Sequence, residues 1–208
     1  APTADMHFGV EQVNSYFSNG GKFVPTDVDY LDGSFYITTG YSSLDYVLTA
    51  KVQGRRSKNL STSWSPLAFA GKGTGPGQLG TGHGITVMPD GETLAVADRK
   101  HSEVDYFSRK GDYLKTLNLP KGCLPCDISF ESSYALIGCL KGPDPDKGAP
   151  IYLLKDEKIV STIMPKEELG LDQFVHIHNA VLIERKGRLY IIAQAWNPGD
   201  FVILEQAL

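Results

Sequence analysis

The feature that most constrains this chain is a hairpin unit that recurs four times along it. Each copy opens on an entrance residue, runs through a β-rich stretch, turns, and returns through a second β-rich stretch. The first copy reads Thr26-Asp27-Val28-Asp29-Tyr30, turns at Asp32-Gly33, and returns as Phe35 to Thr39. The second reads His83 to Val87, turns at Asp90-Gly91, and returns as Leu94 to Ala97. The third reads Cys126 to Phe130, turns through Glu131 to Ser133, and returns as Tyr134 to Ile137. The fourth reads His178 to Leu182, turns at Lys186-Gly187, and returns as Leu189 to Ile192. Asp-Gly between two β-rich runs is a strong hairpin signal, because both turn positions tolerate positive φ.

The entrance residues recur every 43 to 57 positions, close to the blade length of a β-propeller, about 40 to 50 residues. A third strand-like run follows each hairpin, at Tyr46 to Val52, Val104 to Phe107, Ile151 to Leu154 and Phe201 to Leu204. Fourth runs follow at Pro66 to Ala70, Tyr113 to Leu117 and Ile159 to Ile163. The expected fold is therefore all-β: a single propeller domain over residues 1–208 with four visible blades of four antiparallel strands. The blades fall at 24–71, 82–118, 124–164 and 176–208. Residues Val10 to Phe17 are the candidate for the last blade's missing strand, which would close an exposed edge; a disordered N-terminal arm is the alternative. The 22 Gly and 12 Pro suit short strands and tight turns, and the longest helix expected is one turn near Lys166 to Leu171.

Composition removes several classes of function. A net charge of -4 argues against nucleic acid as a partner. No apolar run approaches the roughly 18 residues that span a bilayer, so no membrane partner is expected. Residues 1–10 carry neither the basic nor the apolar stretch of a secretory signal. A processed secreted chain would lack one too, so the compartment stays open. Three cysteines are too few for a disulfide scaffold. A peptide or small-molecule substrate, or a protein partner, is left, with the oligomeric state undecided.

In a propeller the first strand of each blade lines the central channel, so entrance residues converge at its mouth. That set is Thr26, His83, Cys126 and His178. Imidazole nitrogen and thiolate sulfur are the donors zinc takes, so His83, His178 and Cys126 are the candidate metal ligands. A second set lies just past the returning strand: Tyr41, Arg99, Lys141 and Gln194. Together they read as a metal ringed by a base and by cations for an anionic substrate, with Tyr41 and Arg99 as the candidate catalytic residues. Plainer readings stand beside this one: structural histidines, an Arg99 paired with Asp98 or Glu103, and a packed Tyr41. In a hairpin closed around Ser132, Cys126 falls opposite Cys139, as a disulfide, a thiol pair or two small hydrophobes. His176 and His178 share a face where the strand already covers both. His101 is expected to be exposed. The Cys123-x-x-Cys126 spacing has no second CxxC beside it. The glycine-rich Gly71 to Gly77 lacks the ending of a phosphate loop.

These residues carry a resemblance. Gly75-Pro-Gly-Gln-Leu79, His83 to Val87, Asp90-Gly91, Val96-Ala-Asp-Arg99 and Val104 to Phe107 resemble an NHL repeat, which makes the expected propeller one of NHL type. More narrowly, Val24 to Leu204 resembles the catalytic domain of peptidyl-α-hydroxyglycine α-amidating lyase, most closely at Pro25 to Val28, Gly40-Tyr41 and His83 with Val96 to Arg99. That family is a six-bladed propeller that cleaves a peptidyl-α-hydroxyglycine to a peptide amide and glyoxylate. The resemblance implies that His83 and His178 are zinc histidines, Tyr41 the active-site tyrosine and Arg99 an active-site arginine. The family's third zinc histidine and other arginine have no counterpart in the four blades. Asn179 stands where the family has a calcium-binding aspartate, so calcium is not carried over. Ser42 and Ala95 stand where it has disulfide cysteines. A noncatalytic NHL-type module that binds a peptide or protein is the alternative. A lactonase-like hydrolase comes third, because the mouth set holds no carboxylate for calcium.

Overall fold

The computed structural model describes residues 22–53 and 61–207. They form fifteen strands and one short helix. The first sheet is β1 (Asp27–Leu31), β2 (Ser34–Thr38), β3 (Tyr46–Gln53) and β4 (Ser61–Ala70), in that order. The second is β5 (Gly82–Val87), β6 (Thr93–Asp98), β7 (Glu103–Ser108) and β8 (Tyr113–Asn118). The third is β9 (Leu124–Glu131), β10 (Tyr134–Lys141), β11 (Ile151–Lys155) and β12 (Lys158–Ile163). The fourth holds three strands, β13 (Ile177–Arg185), β14 (Arg188–Ala195) and β15 (Asp200–Glu205). Its expected fourth strand, Val10 to Phe17, lies outside the described residues. Each sheet is a meander whose neighbours in sequence are neighbours in space, the blade of an all-β propeller. The helix α1 (Pro165–Leu169) starts on a proline and stops where Gly170 turns left-handed at φ 66, as helices commonly do.

The turns explain where strands end. Asp32 and Gly33 take φ 47 and 82, and Lys186 and Gly187 take 53 and 75, both residues of each turn lying in the left-handed region that a tight hairpin requires. The pairing of β1 with β2 is regular from Asp27↔Thr38 to Leu31↔Ser34. Two later hairpins are not. In β9–β10, Asp127 faces Gly138 but Pro125 faces Cys139, so Cys126 is the extra residue of a bulge. In β13–β14, Ile177 faces Ala195 and Asn179 faces Gln194, so His178 is an extra residue in the same way. This corrects the expectation that Cys126 lies opposite Cys139: the bulge shifts the ladder by one position. It is Cys123 whose sulfur meets Cys139, at 2.6 Å.

By contacts the chain divides into two compact units, Ala1–Val96 with Asp105–Thr116, and Ala97–Val104 with Leu117–Leu208. Each has its own apolar core. In the first, Val47, Leu79, Leu94 and Val96 are wholly buried and pack with Tyr36, Phe69, Ile85 and Phe107. In the second, Leu136, Ile151, Ile177, Ala180 and Ala193 are wholly buried, with Phe174 closing the cluster.

Each unit also joins its sheets by the same polar device. In the first, the Thr26 hydroxyl donates to the Gly82 carbonyl (2.9 Å), while Asp27 accepts the Ile85 N–H (3.0 Å) and Asp29 the Val87 N–H (2.7 Å). In the second, the Cys126 thiol donates to the Ile177 carbonyl (3.2 Å), and Ser129 Oγ accepts the Leu182 N–H (3.2 Å). Thr26 and Cys126 hold the same place in the repeat, as do Asp29 and Ser129. Side chains of one entrance segment thus satisfy backbone groups of the next, which would otherwise be buried without partners. Burial raises the Asp27 pKa above 3.8, and the Ile85 N–H opposes the shift. Replacing Asp27 by Ala is expected to cost about 1–3 kcal/mol in urea denaturation, by orphaning that N–H, whereas Asp27→Asn, which keeps an acceptor, stays within about 1 kcal/mol of wild type. Equal losses in the two variants would assign the effect to the charge instead.

Candidate functional site

Two sets of side chains stand at the blade entrances, one in each unit. In the first unit, the chain leaves β2 through Thr39 and Gly40 and passes close to the start of β5. A Cβ on Gly40 would stand 2.2 Å from the Gly82 carbonyl oxygen, so glycine is required there. Gly82 is fixed from three sides. Its carbonyl accepts from Thr26, its N–H donates to both oxygens of the buried Asp45 carboxylate (3.0 and 3.2 Å), and the next carbonyl, that of His83, accepts from Thr38 Oγ1 at 2.6 Å. This close approach sets Tyr41 beside His83. Their rings meet edge to face, with centroids 5.6 Å apart. His83 is 4% exposed and Tyr41 52%, so a buried imidazole carries a phenol that reaches solvent.

In the second unit the buried Arg99 guanidinium donates to Cys126 Sγ at 2.9 Å. The same sulfur donates to the Ile177 carbonyl. Burial pushes the Cys126 thiol up to about 11, against the opposing pull of Arg99, so the sulfur is a protonated thiol at neutral pH. His178, half-buried on its bulge, has a pKa below 6.5, first because burial penalises its charged form and second because Arg99 is positive. Asn179 donates through Nδ2 to Asp127 Oδ2 at 3.1 Å. An aspartate at that position would set two carboxylates against each other, so this amide is the form the joint accepts.

The rest of the expected set is spread out. Lys141 and Gln194 are exposed at the ends of their strands. His176 precedes β13 and shares no strand face with His178; its Nδ1 lies 2.8 Å from the Leu140 carbonyl. His101 is a correction: it is not exposed but pairs through Nδ1 with the buried Asp98 carboxylate at 2.8 Å, with Glu103 at 3.6 Å. Asp98, His101 and Glu103 are the group among the described residues whose potential ligand atoms all lie within 4.8 Å of one another; they brace the turn between β6 and β7. Two supports of His83, Thr38 and Asp45, were not singled out from the sequence. The Gly40-Tyr41 pair next to a strand end was the one signal that pointed there. A separate cavity of about 750 Å³ is lined by Phe23, Val28, Phe35, Ile37 and Trp64 of the first blade and their neighbours. Neither Tyr41 nor His83 lines it.

No family model matches the chain, and the curated proteins hold no match. Among solved structures it is similar to a candidate 6-phosphogluconolactonase from Bacteroides fragilis, with a TM-score of 0.60 and 13% identity over 88% of this chain and 51% of that one. It is similar to hydrazine synthase from Kuenenia stuttgartiensis, with a TM-score of 0.56 and 12% identity over 88% and 51%. A streptogramin B lyase aligns with a TM-score of 0.52 and 10% identity over 88% and 55%. At such identities the likeness is one of fold, an all-β propeller that proteins named for lyase and lactonase activities also have. The chain spans about half the length of these structures. No helix among the described residues is long and apolar enough to cross a membrane.

Two outcomes follow for the site. Gly40→Ala, by forcing its backbone away from Gly82, is expected to cost about 1–3 kcal/mol in chemical denaturation; a wild-type midpoint would mean the two segments separate freely. Because the folded-state pKa of His178 lies below 6.5, the unfolded chain binds its proton first. The linked stability is complete above that value and is lost as pH falls through the lower folded-state one. Denaturation midpoints followed downward from about pH 7 should decline less in His178→Gln than in wild type.

Proposed function

We propose that this chain is the catalytic part of a propeller enzyme of the amidating-lyase type, working at the blade entrances. The observation that carries the reading is Tyr41 packed edge-on against the buried His83, a phenol held beside an imidazole. The donor chemistry of two entrance residues suits zinc: both are imidazoles, and His178 is held in the neutral form that binds a metal. Cys126 suits it less, being a protonated thiol committed to Arg99 and to the Ile177 carbonyl. In this reading the resemblance, not the placing of the two units, makes His83 and His178 the metal's histidines, and Cys126 seats the guanidinium. Zinc, when bound, supplies Lewis-acid polarisation of a substrate hydroxyl. Tyr41, half in solvent, would take the hydroxyl proton on its phenolic oxygen. Arg99 would pair with a substrate carboxylate. Calcium is not invoked in this reading: Asn179 stands where the resembled family has an aspartate and donates to Asp127.

The test is zinc content after extensive dialysis, coupled to glyoxylate release from an α-hydroxyglycine peptide. About one zinc per chain is expected, as in other catalytic zinc sites. His83→Ala with His178→Ala should abolish both metal and release. Tyr41→Phe should keep the metal and lower turnover by about 10²- to 10⁴-fold. A metal-free wild type that binds peptide as well without the two histidines would instead favour a noncatalytic NHL-type module, for which the apolar cavity on the first blade is the natural surface. A lactonase-like hydrolase ranks third, because neither entrance set presents a carboxylate cluster for calcium.

A further inference from the structure

Two of the three cysteines stand apart from the entrance set. Cys123 sits in the turn before β9, where its N–H donates to the Pro120 carbonyl at 3.0 Å. Cys139 lies in β10 at the point where the ladder shifts. Both are wholly buried, and their sulfurs are 2.6 Å apart. Even carbon atoms, which are smaller, rest at about 3.5–4.0 Å when they are not bonded. The third thiol, Cys126, is engaged by Arg99 and by the Ile177 carbonyl instead.

We propose that Cys123 and Cys139 are an oxidative cross-linking site, closing a disulfide over the β9–β10 hairpin. The oxidant is a small-molecule disulfide such as oxidised glutathione. The thiolate of one cysteine attacks it and releases one small thiol, leaving a mixed disulfide on the protein. The thiolate of the second attacks the protein-side sulfur, forms the Cys123–Cys139 bond and releases the second small thiol. The protein's two thiols lose two protons and two electrons, and the small disulfide takes them up. Both sulfurs are wholly buried in the folded chain, out of reach of a small disulfide in solvent. The bond therefore forms while the hairpin is still open, and folding then encloses it.

The site makes a specific demand on the register. The bulge at Cys126 sets Pro125 rather than Cys126 across from Cys139, which leaves Cys123 to reach the sulfur. The cross-link would tie the strands beside the bulge that presents Cys126 to Arg99, on the side where Pro125 faces Cys139.

The experiment is refolding of the full chain in a buffer of reduced and oxidised glutathione, then unfolding in guanidinium with iodoacetamide and no added reductant. Peptide mapping is expected to find Cys126 alkylated and Cys123 joined to Cys139. Three alkylated cysteines, or a cross-link that includes Cys126, would overturn the proposal. A Cys126→Ser variant should retain the bond. Cys123→Ser with Cys139→Ser should lower Tm by about 5–10 °C; should that variant not fold, the wild-type mapping decides alone.

Discussion

What this structure depends on is the satisfaction of backbone groups where one entrance strand lies beside the next. A strand at the start of a blade has its ladder partner on one side and another blade's first strand on the other. Its remaining N–H and carbonyl groups are shut away from water, and a wholly apolar neighbour would leave them unpaired. The chain meets this with side chains of the entrance segments: Thr26, Asp27 and Asp29 in the first unit, Cys126 and Ser129 in the second. In β1 the alternation of two sets Asp27 and Asp29 toward β5, while Val28 between them is exposed on the other face. Register between blades is thereby specified as tightly as register within a hairpin.

The same bonds position the candidate site. His83 is where it is because Gly82 is held by Thr26 and Asp45 and because Thr38 holds the His83 carbonyl. Arg99 is where it is because Cys126 accepts from it, and Cys126 is itself oriented by the Ile177 carbonyl. The candidate side chains thus stand next to the joints, His83 within β5 and Arg99 in the turn that follows β6.

Much of the fold was legible because its signals are local. Asp32-Gly33, Asp90-Gly91 and Lys186-Gly187 mark hairpins by turn chemistry, and the apolar runs around them mark the strands; β3, expected from Tyr46 to Val52, extends to Gln53. The contents of the site were less legible because they rest on distant partners. A bulge is decided by what the neighbouring blade offers, so extrapolating the ladder from Ser132 put Cys126 opposite Cys139 when Pro125 stands there. The ring contact of Tyr41 with His83 depends on Gly40 fitting against Gly82, a closeness that no pattern of spacing reports. The thiol's engagement with Arg99 is likewise a tertiary fact, as is the burial that raises the Cys126 pKa against the pull of that guanidinium.

The two bulges have a consequence for chain length. His178 is one residue more than a regular ladder of β13 with β14 would need, in effect an insertion held in place. Deleting it would let that hairpin pair evenly, regaining ladder geometry while removing an entrance side chain. Cys126 differs: the ladder of β9 with β10 shifts again at Leu140, between Cys139 and Lys141, and so returns to its first register. Deleting Cys126 would leave that second shift uncompensated. A search for sturdier variants that allowed deletions as well as substitutions would be drawn to His178 and turned away from Cys126, although the proposed site draws on both.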